Sequence, residues 1–137
     1  MTGEANMKNT IRIGLATIAL GAAWASPAAD FDGSKTIICA PIEAMDCSPG
    51  VVCSKGTPND IGAPAFLRID FGKKVVIGPK RNTPIVAVEK DETQVLLQGF
   101  ELGYAWSIAV NQQDGEMSAT LTNHEGAFVL FGPCTPL

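Results

Sequence analysis

Residues 94–131 read QVLLQGFELGYAWSIAVNQQDGEMSATLTNHEGAFVLF, and this stretch decides the fold. Within it Trp106, Ile108 and Val110 alternate with alanine and serine, so the large apolar side chains fall on one face of an extended strand. A period of two is typical of an antiparallel sheet with one buried face and one wetter face. Asp-Gly and His-Glu-Gly sequences separate the apolar runs and predict hairpin turns between them.

Short apolar runs separated by turn residues continue upstream as far as residue 66. The predicted strands are residues 36–39, 66–71, 74–77, 85–89, 94–99, 105–110, 117–122 and 127–131. The sequence therefore predicts an all-β fold: a small antiparallel up-and-down barrel or curled meander of about seven or eight strands, because closure removes exposed edges. An open sandwich is the alternative. The runs at 95–97 and 128–131 are apolar on both faces, which predicts that part of the sheet is covered twice.

Residues 26–65 are predicted to form a loop-rich lead segment, tied by disulfides and folded as one domain with the meander of residues 66–137. Four prolines and four glycines interrupt the lead segment between residues 30 and 65. Only residues 36–39 have the character of a strand there. Such a segment needs covalent ties to hold a fixed shape.

The cysteines Cys39, Cys47, Cys53 and Cys134 supply those ties. Four cysteines allow three pairings, and their spacing alone does not choose among them. A Pro-Gly dipeptide lies midway between Cys47 and Cys53 and favours a turn that brings the two together. We therefore expect a local Cys47–Cys53 bond and a long-range Cys39–Cys134 bond.

Residues 1–25 have the layout of a secretory signal peptide. Basic residues precede an apolar run over residues 13–23, and Ala-Trp-Ala follows as a small-x-small cleavage pattern. Translation from Met1 or from Met7 fits this layout. The run is shorter than the roughly 20 residues of a membrane-spanning helix. We expect a periplasmic or secreted protein with no stable membrane anchor after signal cleavage.

The charge of the chain argues against nucleic acid as a partner. Ten Lys and Arg side chains face 14 Asp and Glu, for a formal net charge of −4 at pH 7. Basic residues concentrate only at Lys73-Lys74 and Lys80-Arg81, where they suit solvated or edge-protecting strands. The expected partner is therefore an unknown periplasmic protein or a small ligand.

Motifs for metals, cofactors and catalysis are missing from the sequence. The cysteine spacing lacks the paired short units of zinc sites, and no C-x-x-C-H haem motif is present. We therefore predict no metal, no cofactor and no catalytic residue. His124 is the one histidine and falls in a predicted turn, where an imidazole is more often solvated than catalytic.

The strongest candidate binding surface consists of Phe100, Tyr104 and Trp106, which cluster around a glycine turn. Aromatic side chains beside such a turn can anchor a ligand or a protein. The alternative is that Trp106 fills the core and Tyr104 caps its rim. Arg68 is a further candidate, either in a surface charge pair with Asp70 or as a polar group in the mouth of a barrel.

A resemblance rests on WS at residues 106–107, GEMSAT at 115–120 and FGPCTP at 131–136, together with the cysteine cluster and PAFLRIDF at 64–71. In these motifs the chain resembles a family of short exported proteobacterial proteins without an assigned activity. The resemblance covers most of the chain after the signal and implies export and disulfides. A second likeness, to periplasmic lysozyme-inhibitor barrels, rests on size, compartment and strand pattern, although their signature loops are absent.

Three functional hypotheses follow. The first is an exported periplasmic β-domain that acts as a non-enzymatic binding or inhibitor-type module for an unknown ligand. The second is an envelope protein of structural association without a ligand cavity. The third is a small hydrolase that uses His124.

Overall fold

The structure, a computed structural model, describes residues 30–137, so the predicted signal peptide lies outside the described residues. This part of the chain forms eleven strands and a short 3-10 turn at Pro58–Ile61. The strands are β1 (Ile37–Cys39), β2 (Glu43–Cys47), β3 (Ser54–Gly56), β4 (Leu67–Asp70), β5 (Val75–Ile77), β6 (Asn82–Pro84), β7 (Ala87–Lys90), β8 (Gln94–Glu101), β9 (Tyr104–Asn111), β10 (Glu116–Thr122) and β11 (Ala127–Pro136). No helix in this range is long and apolar enough to cross a membrane.

All strand pairs in the sheet are antiparallel, in the order β6-β5-β4-β1-β11-β10-β9-β8-β7, with β2 and β3 branching from β11. The two end strands, β6 and β7, are consecutive in the chain and separated only by Ile85 and Val86. The Ile85 N–H donates to Lys74 O, and the Val86 N–H donates to Gln98 O. The sheet is therefore a curled antiparallel half-barrel, which confirms the predicted fold class.

Strand β11 organises the N-terminal part of the chain. Its last residues pair with β1, and its first residues pair with β2, so one strand serves two partners on the same side. The link between them stays close to β11, since the Ala40 N–H donates to Pro133 O and the Ile42 N–H to Phe131 O. Gly132 permits this approach, because a Cβ there would collide with the Ala40 carbonyl oxygen.

The inward side chains form one contiguous apolar core. Its buried members are Ile37, Cys39, Ala44, Ile69, Val76, Ile85, Val95, Leu97, Trp106, Ile108, Val110, Met117, Ala119, Leu130 and Cys134. Phe31 and Phe71 pack against this core as partly buried side chains. The alternation predicted for β9 is observed, with Trp106, Ile108 and Val110 pointing inward. Burial of this apolar face is the main term that stabilises the sheet.

Both predicted disulfides are present, Cys39–Cys134 and Cys47–Cys53. The first joins residues that are 95 apart in sequence and directly paired between β1 and β11. The second closes a loop of six residues' separation at the end of the β2–β3 hairpin. Disulfides of this kind indicate an oxidising compartment.

Two expectations about the sheet are wrong. The lead segment contains β2 and β3 as well as the strand at 37–39. These two strands form because β2 pairs with β11 and β3 pairs with β2, and the sequence of the segment alone does not indicate that pairing. The expected second cover over β8 and β11 is also absent from the described residues. The outward Leu96 and Val129 are half-buried and Phe131 is 41% exposed, since only the concave face of the curled sheet encloses a core.

Candidate functional site

The turn between β8 and β9 has an unusual residue in its backbone. Glu101 pairs directly with Tyr104, which leaves Leu102 and Gly103 as a two-residue hairpin loop. Leu102 has φ 47° and Gly103 has φ 82°, the signs required by the tight hairpin turn that usually carries Asn-Gly. A leucine in the left-handed region is strained by about 1 kcal/mol. The turn therefore contains an apolar residue where the backbone favours a small polar one.

Leu102 is also exposed to solvent, as is its neighbour Phe100. Leu102 is 73% exposed and Phe100, on the outward face of β8, is 69% exposed. Beside them lies a surface pocket of about 460 Å³, formed by residues 100–105 and Thr122. The Tyr104 side chain is half-buried in its wall. We call Phe100, Leu102 and Tyr104 the apolar rim.

Two contacts hold the apolar rim in place. The Tyr104 ring lies 6.1 Å from the Phe128 ring, centroid to centroid, with the planes tilted by 41°, a geometry that aromatic pairs favour. The Arg81 Nε lies 3.4 Å from the Glu101 Oε1. This ion pair ties the β5–β6 turn region to the β8–β9 hairpin across the junction of the half-barrel. The rim is therefore supported by both neighbouring parts of the sheet.

Trp106 belongs to the core beneath the rim and is only 7% exposed. Its indole occupies the space opposite Gly99, where a Cβ would overlap the ring. The indole Nε1 donates to Thr83 Oγ1 (3.3 Å), and the Thr83 hydroxyl donates to the Phe100 carbonyl (3.3 Å). Trp106 thus supports the backbone of Phe100 and presents no surface of its own.

The structure does not bring Arg68 to the rim. Arg68 is exposed on β4 and pairs with Ile38 of β1. Ile38 in turn pairs with Thr135, near the end of β11 that is opposite to the hairpin carrying His124. Asp70 on the same strand lies 3.9 Å from the Lys73 Nζ. Of the four candidate residues, Phe100 and Tyr104 line the same pocket at the hairpin, Phe100 from the outward face of β8 and Tyr104 from the inward face of β9 that it shares with Trp106.

A second exposed apolar feature lies in the loop closed by Cys47–Cys53. Val51 is 67% exposed and Val52 is 93% exposed. The loop turns through Gly50 at φ 78°, as the Pro-Gly dipeptide predicted. Neither this pair of valines nor Leu102 was among the sequence candidates. The signals that could have identified them are a Leu-Gly turn in place of Asn-Gly, and an apolar pair inside a short cysteine loop.

Another pocket lies at the far end of β8 and is polar. It has a volume of about 310 Å³ and is formed by Glu89, Lys90, Asp91, Gln94 and Leu96. The Asp91 carboxylate accepts hydrogen bonds from the hydroxyl and N–H of the Thr93 residue and from the Gln94 N–H. These bonds lower the pKa of Asp91 to about 2. The hydrogen bonds of this carboxylate stabilise the turn that contains it.

His124 is exposed in the turn between β10 and β11. That turn is held by the Asn123 side chain, whose Oδ1 accepts the N–H groups of Glu125 and Gly126. Within residues 30–137, no group of three His, Cys, Asp or Glu side chains is arranged to hold a metal ion. The rim and the cysteine loop are two of several exposed apolar features of the described residues, which also include Ile42, Phe66 and Val86.

No protein-family model, no curated protein and no solved structure matches this chain.

Proposed function

We propose that the chain is an exported, periplasmic β-domain that binds a partner protein through its apolar rim, as a non-enzymatic module of the inhibitor type. One observation carries this proposal: Leu102 is both strained, at φ 47°, and 73% exposed. Neither property contributes to folding. A residue that costs stability and solubility in the free protein is explained by a contact that it makes in a complex.

The rim has the composition of a binding hot spot. Phe100, Leu102 and Tyr104 supply a large apolar area within one hairpin, and Tyr104 adds a hydroxyl that can be hydrogen-bonded by a partner. The hairpin is held by the β8–β9 ladder and by the ion pair of Arg81 with Glu101. Binding at a rigid hairpin costs little conformational entropy, which favours affinity.

The filled interior supports a protein as the partner. The concave face of the sheet is occupied by large side chains such as Trp106, Ile108 and Leu97, and the pocket of about 460 Å³ lies at the surface beside the rim. A protein can bury the rim and place one of its own side chains in that pocket. The two disulfides and the predicted signal of residues 1–25 support a location in the periplasm.

The test is a comparison of partner capture by matched variants. The full chain, tagged at its C-terminus, is exported in a bacterial host and recovered with its bound proteins as the unmodified chain, as Phe100→Ser and as Phe66→Ser. Phe66 is a suitable control because it is 58% exposed but lies before β4, away from the rim. We expect one stoichiometric partner that is lost from Phe100→Ser and kept by Phe66→Ser. Equal capture by all three forms, or no partner at all, would contradict the proposal.

The envelope-association hypothesis is the second candidate, and the filled interior favours it as well. It would use the outward face of the sheet, where Phe131 is 41% exposed and its neighbour Ser118 is small. On that hypothesis the partner is lost from Phe131→Ser and kept by Phe100→Ser. The same capture experiment therefore separates the two candidates.

A further inference from the structure

We propose that the Cys47–Cys53 loop is a second arm of the same binding surface, so that Val51 and Val52 enter an apolar cleft of the partner protein whose edges are basic. This inference rests on the proposed function, since it states what kind of protein would bind the surface that includes the rim. It adds a site that the sequence candidates did not contain. Its support comes from position, exposure and charge.

The register of the sheet gives the position of the Cys47–Cys53 loop relative to the rim. Phe100 pairs with Ala105, Ala105 with Thr122, Thr122 with Ala127, and Ala127 with Cys47. This row crosses five neighbouring strands on the outward face, at one end of the sheet. Four inter-strand steps of roughly 4.8 Å place Phe100 and Cys47 at most about 19 Å apart, since the sheet curls between them. A single protein interface of ordinary size spans this distance.

The surface between the two arms permits close approach. Ala105, Thr122 and Ala127 are small and uncharged, and the disulfide fixes Cys47 at the edge of this row. Within this row a partner that contacts the rim meets no bulky or charged side chain, and the exposed His124 and Glu125 lie just beyond the row in the β10–β11 turn. The partner then reaches the cysteine loop directly.

The valines of the Cys47–Cys53 loop are exposed to solvent and so are free to contact a partner. Val52 is 93% exposed and Val51 is 67% exposed, so neither contributes to the core. The Cys47–Cys53 bond closes the loop and limits its conformations before binding. A loop restrained in this way loses little freedom on association, which is the usual benefit of pre-organisation.

Charge indicates the edges of the partner's cleft. Residues 44–53, 98–105 and 120–128 contain no Lys or Arg, whereas Asp46, Glu101 and Glu125 lie among them. Asp46 and Glu125 are exposed, whereas the basic side chains beside these segments, Lys55 and Arg81, are paired with Glu43 and Glu101. Acidic groups around an apolar contact complement basic groups on the partner and repel anionic lipid. The occupant is thus a protein with a basic-edged apolar cleft, not a membrane surface.

The experiment is site-specific photo-cross-linking in the exported full chain. A photoreactive phenylalanine analogue replaces Val52, Leu102 or, as the control, Phe66. We expect the Val52 and Leu102 positions to attach to one and the same protein, and the Phe66 position to leave it unattached. With that protein purified, Val51→Ser/Val52→Ser should raise the dissociation constant by about tenfold or more. Raising the salt concentration from about 50 mM to about 500 mM should also raise the dissociation constant of the unmodified chain.

The outcomes separate this inference from the proposed function. Attachment from Leu102 but not from Val52 overturns the second arm and leaves the rim proposal standing, whereas attachment from neither position overturns both. Attachment of Val52 to lipid, to a second copy of the chain or to a different protein also overturns the inference. So does sedimentation of the chain with phosphatidylethanolamine and phosphatidylglycerol vesicles that depends on Val52. An affinity that is independent of salt overturns the basic-edged cleft.

Discussion

Leu102 shows how one residue can conflict with the local structure that contains it. The two-residue hairpin between β8 and β9 needs positive φ at both loop positions, and Gly103 meets that need without strain. Leucine at the first position does not, and its side chain gains no burial in return. Conflicts of this kind are concentrated at functional sites, where the strain is offset by a contact made elsewhere.

Replacing Leu102 by asparagine should stabilise the free protein. Asparagine tolerates the left-handed backbone, so Leu102→Asn should raise the free energy of unfolding by about 1 kcal/mol and the melting temperature by about 4 °C. Calorimetry of the two proteins measures both quantities. Leu102→Ala is the control, because it removes the apolar side chain without relieving the backbone and should give no comparable gain. A lower melting temperature for Leu102→Asn would show that the leucine supports the fold.

Asp91 is a polar residue whose role is structural, although it sits in a pocket. Three hydrogen bonds from Thr93 and Gln94 stabilise its charged form and depress its pKa from 3.8 to about 2. Because the folded-state pKa is the lower one, the contribution to stability is fully present above the unfolded pKa near 3.8. It is lost as the pH falls from there towards about 2.

The corresponding prediction concerns Asp91→Asn. At neutral pH this variant should melt below the unmodified chain, because an amide oxygen accepts the three hydrogen bonds more weakly than a carboxylate. The difference in melting temperature should shrink as the pH falls from about 5 to about 2, since the native aspartate then also loses its charge. Thermal melts across this pH range provide the measurement. A difference that is constant with pH would mean that charge does not hold the turn.

Among single residues, the sequence predicted the inward face of β9, and of the proposed rim it named Phe100 and Tyr104 but not Leu102. Of the two alternatives given for Trp106, the structure shows the core position, because alternation along the strand turns its side chain inward. Its placement also depends on Gly99 and Thr83, which come from two other strands. Contacts between strands cannot be obtained from alternation within one of them.

At the scale of elements, the strands of the C-terminal meander were predictable because each has its own apolar alternation. Strands β2, β3 and β6 were not, since their sequences EAMDC, SKG and NTP offer one or no large apolar residue. They form because a neighbouring strand presents unpaired backbone groups to them. Pro84 ends β6 where the chain passes to β7 at the opposite end of the sheet.

One disulfide is buried and the other is partly exposed to solvent, and this difference should decide the order in which they are reduced. Cys39 is fully buried and Cys134 is 7% exposed, whereas Cys53 is exposed and Cys47 is half-buried. Attack by a thiolate requires access to a sulfur atom, so mild treatment with dithiothreitol should open Cys47–Cys53 first. Alkylation followed by peptide mass spectrometry identifies the reduced pair. Earlier loss of Cys39–Cys134 in folded protein would contradict the placement of that bond in the core.

For the whole molecule, Cys39–Cys134 links the start of the described sheet to its last strand. The bond closes a loop of 95 residues' separation, and restricting a loop of that length in the unfolded chain stabilises the folded one by about 4 kcal/mol. Removing both cysteines, as Cys39→Ala/Cys134→Ala, should lower the free energy of unfolding by about that amount. Cys47→Ala/Cys53→Ala is the matched control and should cost about 2 kcal/mol. Denaturant titrations of the two variants rank them, and an equal loss would contradict this account.

The overall architecture was predictable further than the function. Apolar alternation, hairpin spacing and the four cysteines predicted a curled antiparallel sheet and its disulfides. The pairing of β1 between β4 and β11 was not predictable, because it joins segments that are distant in sequence. The same limit applies to the surface formed by the rim and the cysteine loop, which only the sheet register brings to one end.

The central claim is that the rim is shaped for a partner and not for the fold, and Leu102→Asn tests it most directly. Thermal stability and partner capture are measured on the same preparation of the full chain and of this variant. The account predicts a higher melting temperature for Leu102→Asn together with loss of the partner. A variant that is stably folded and retains the partner at the level of the unmodified chain would contradict it.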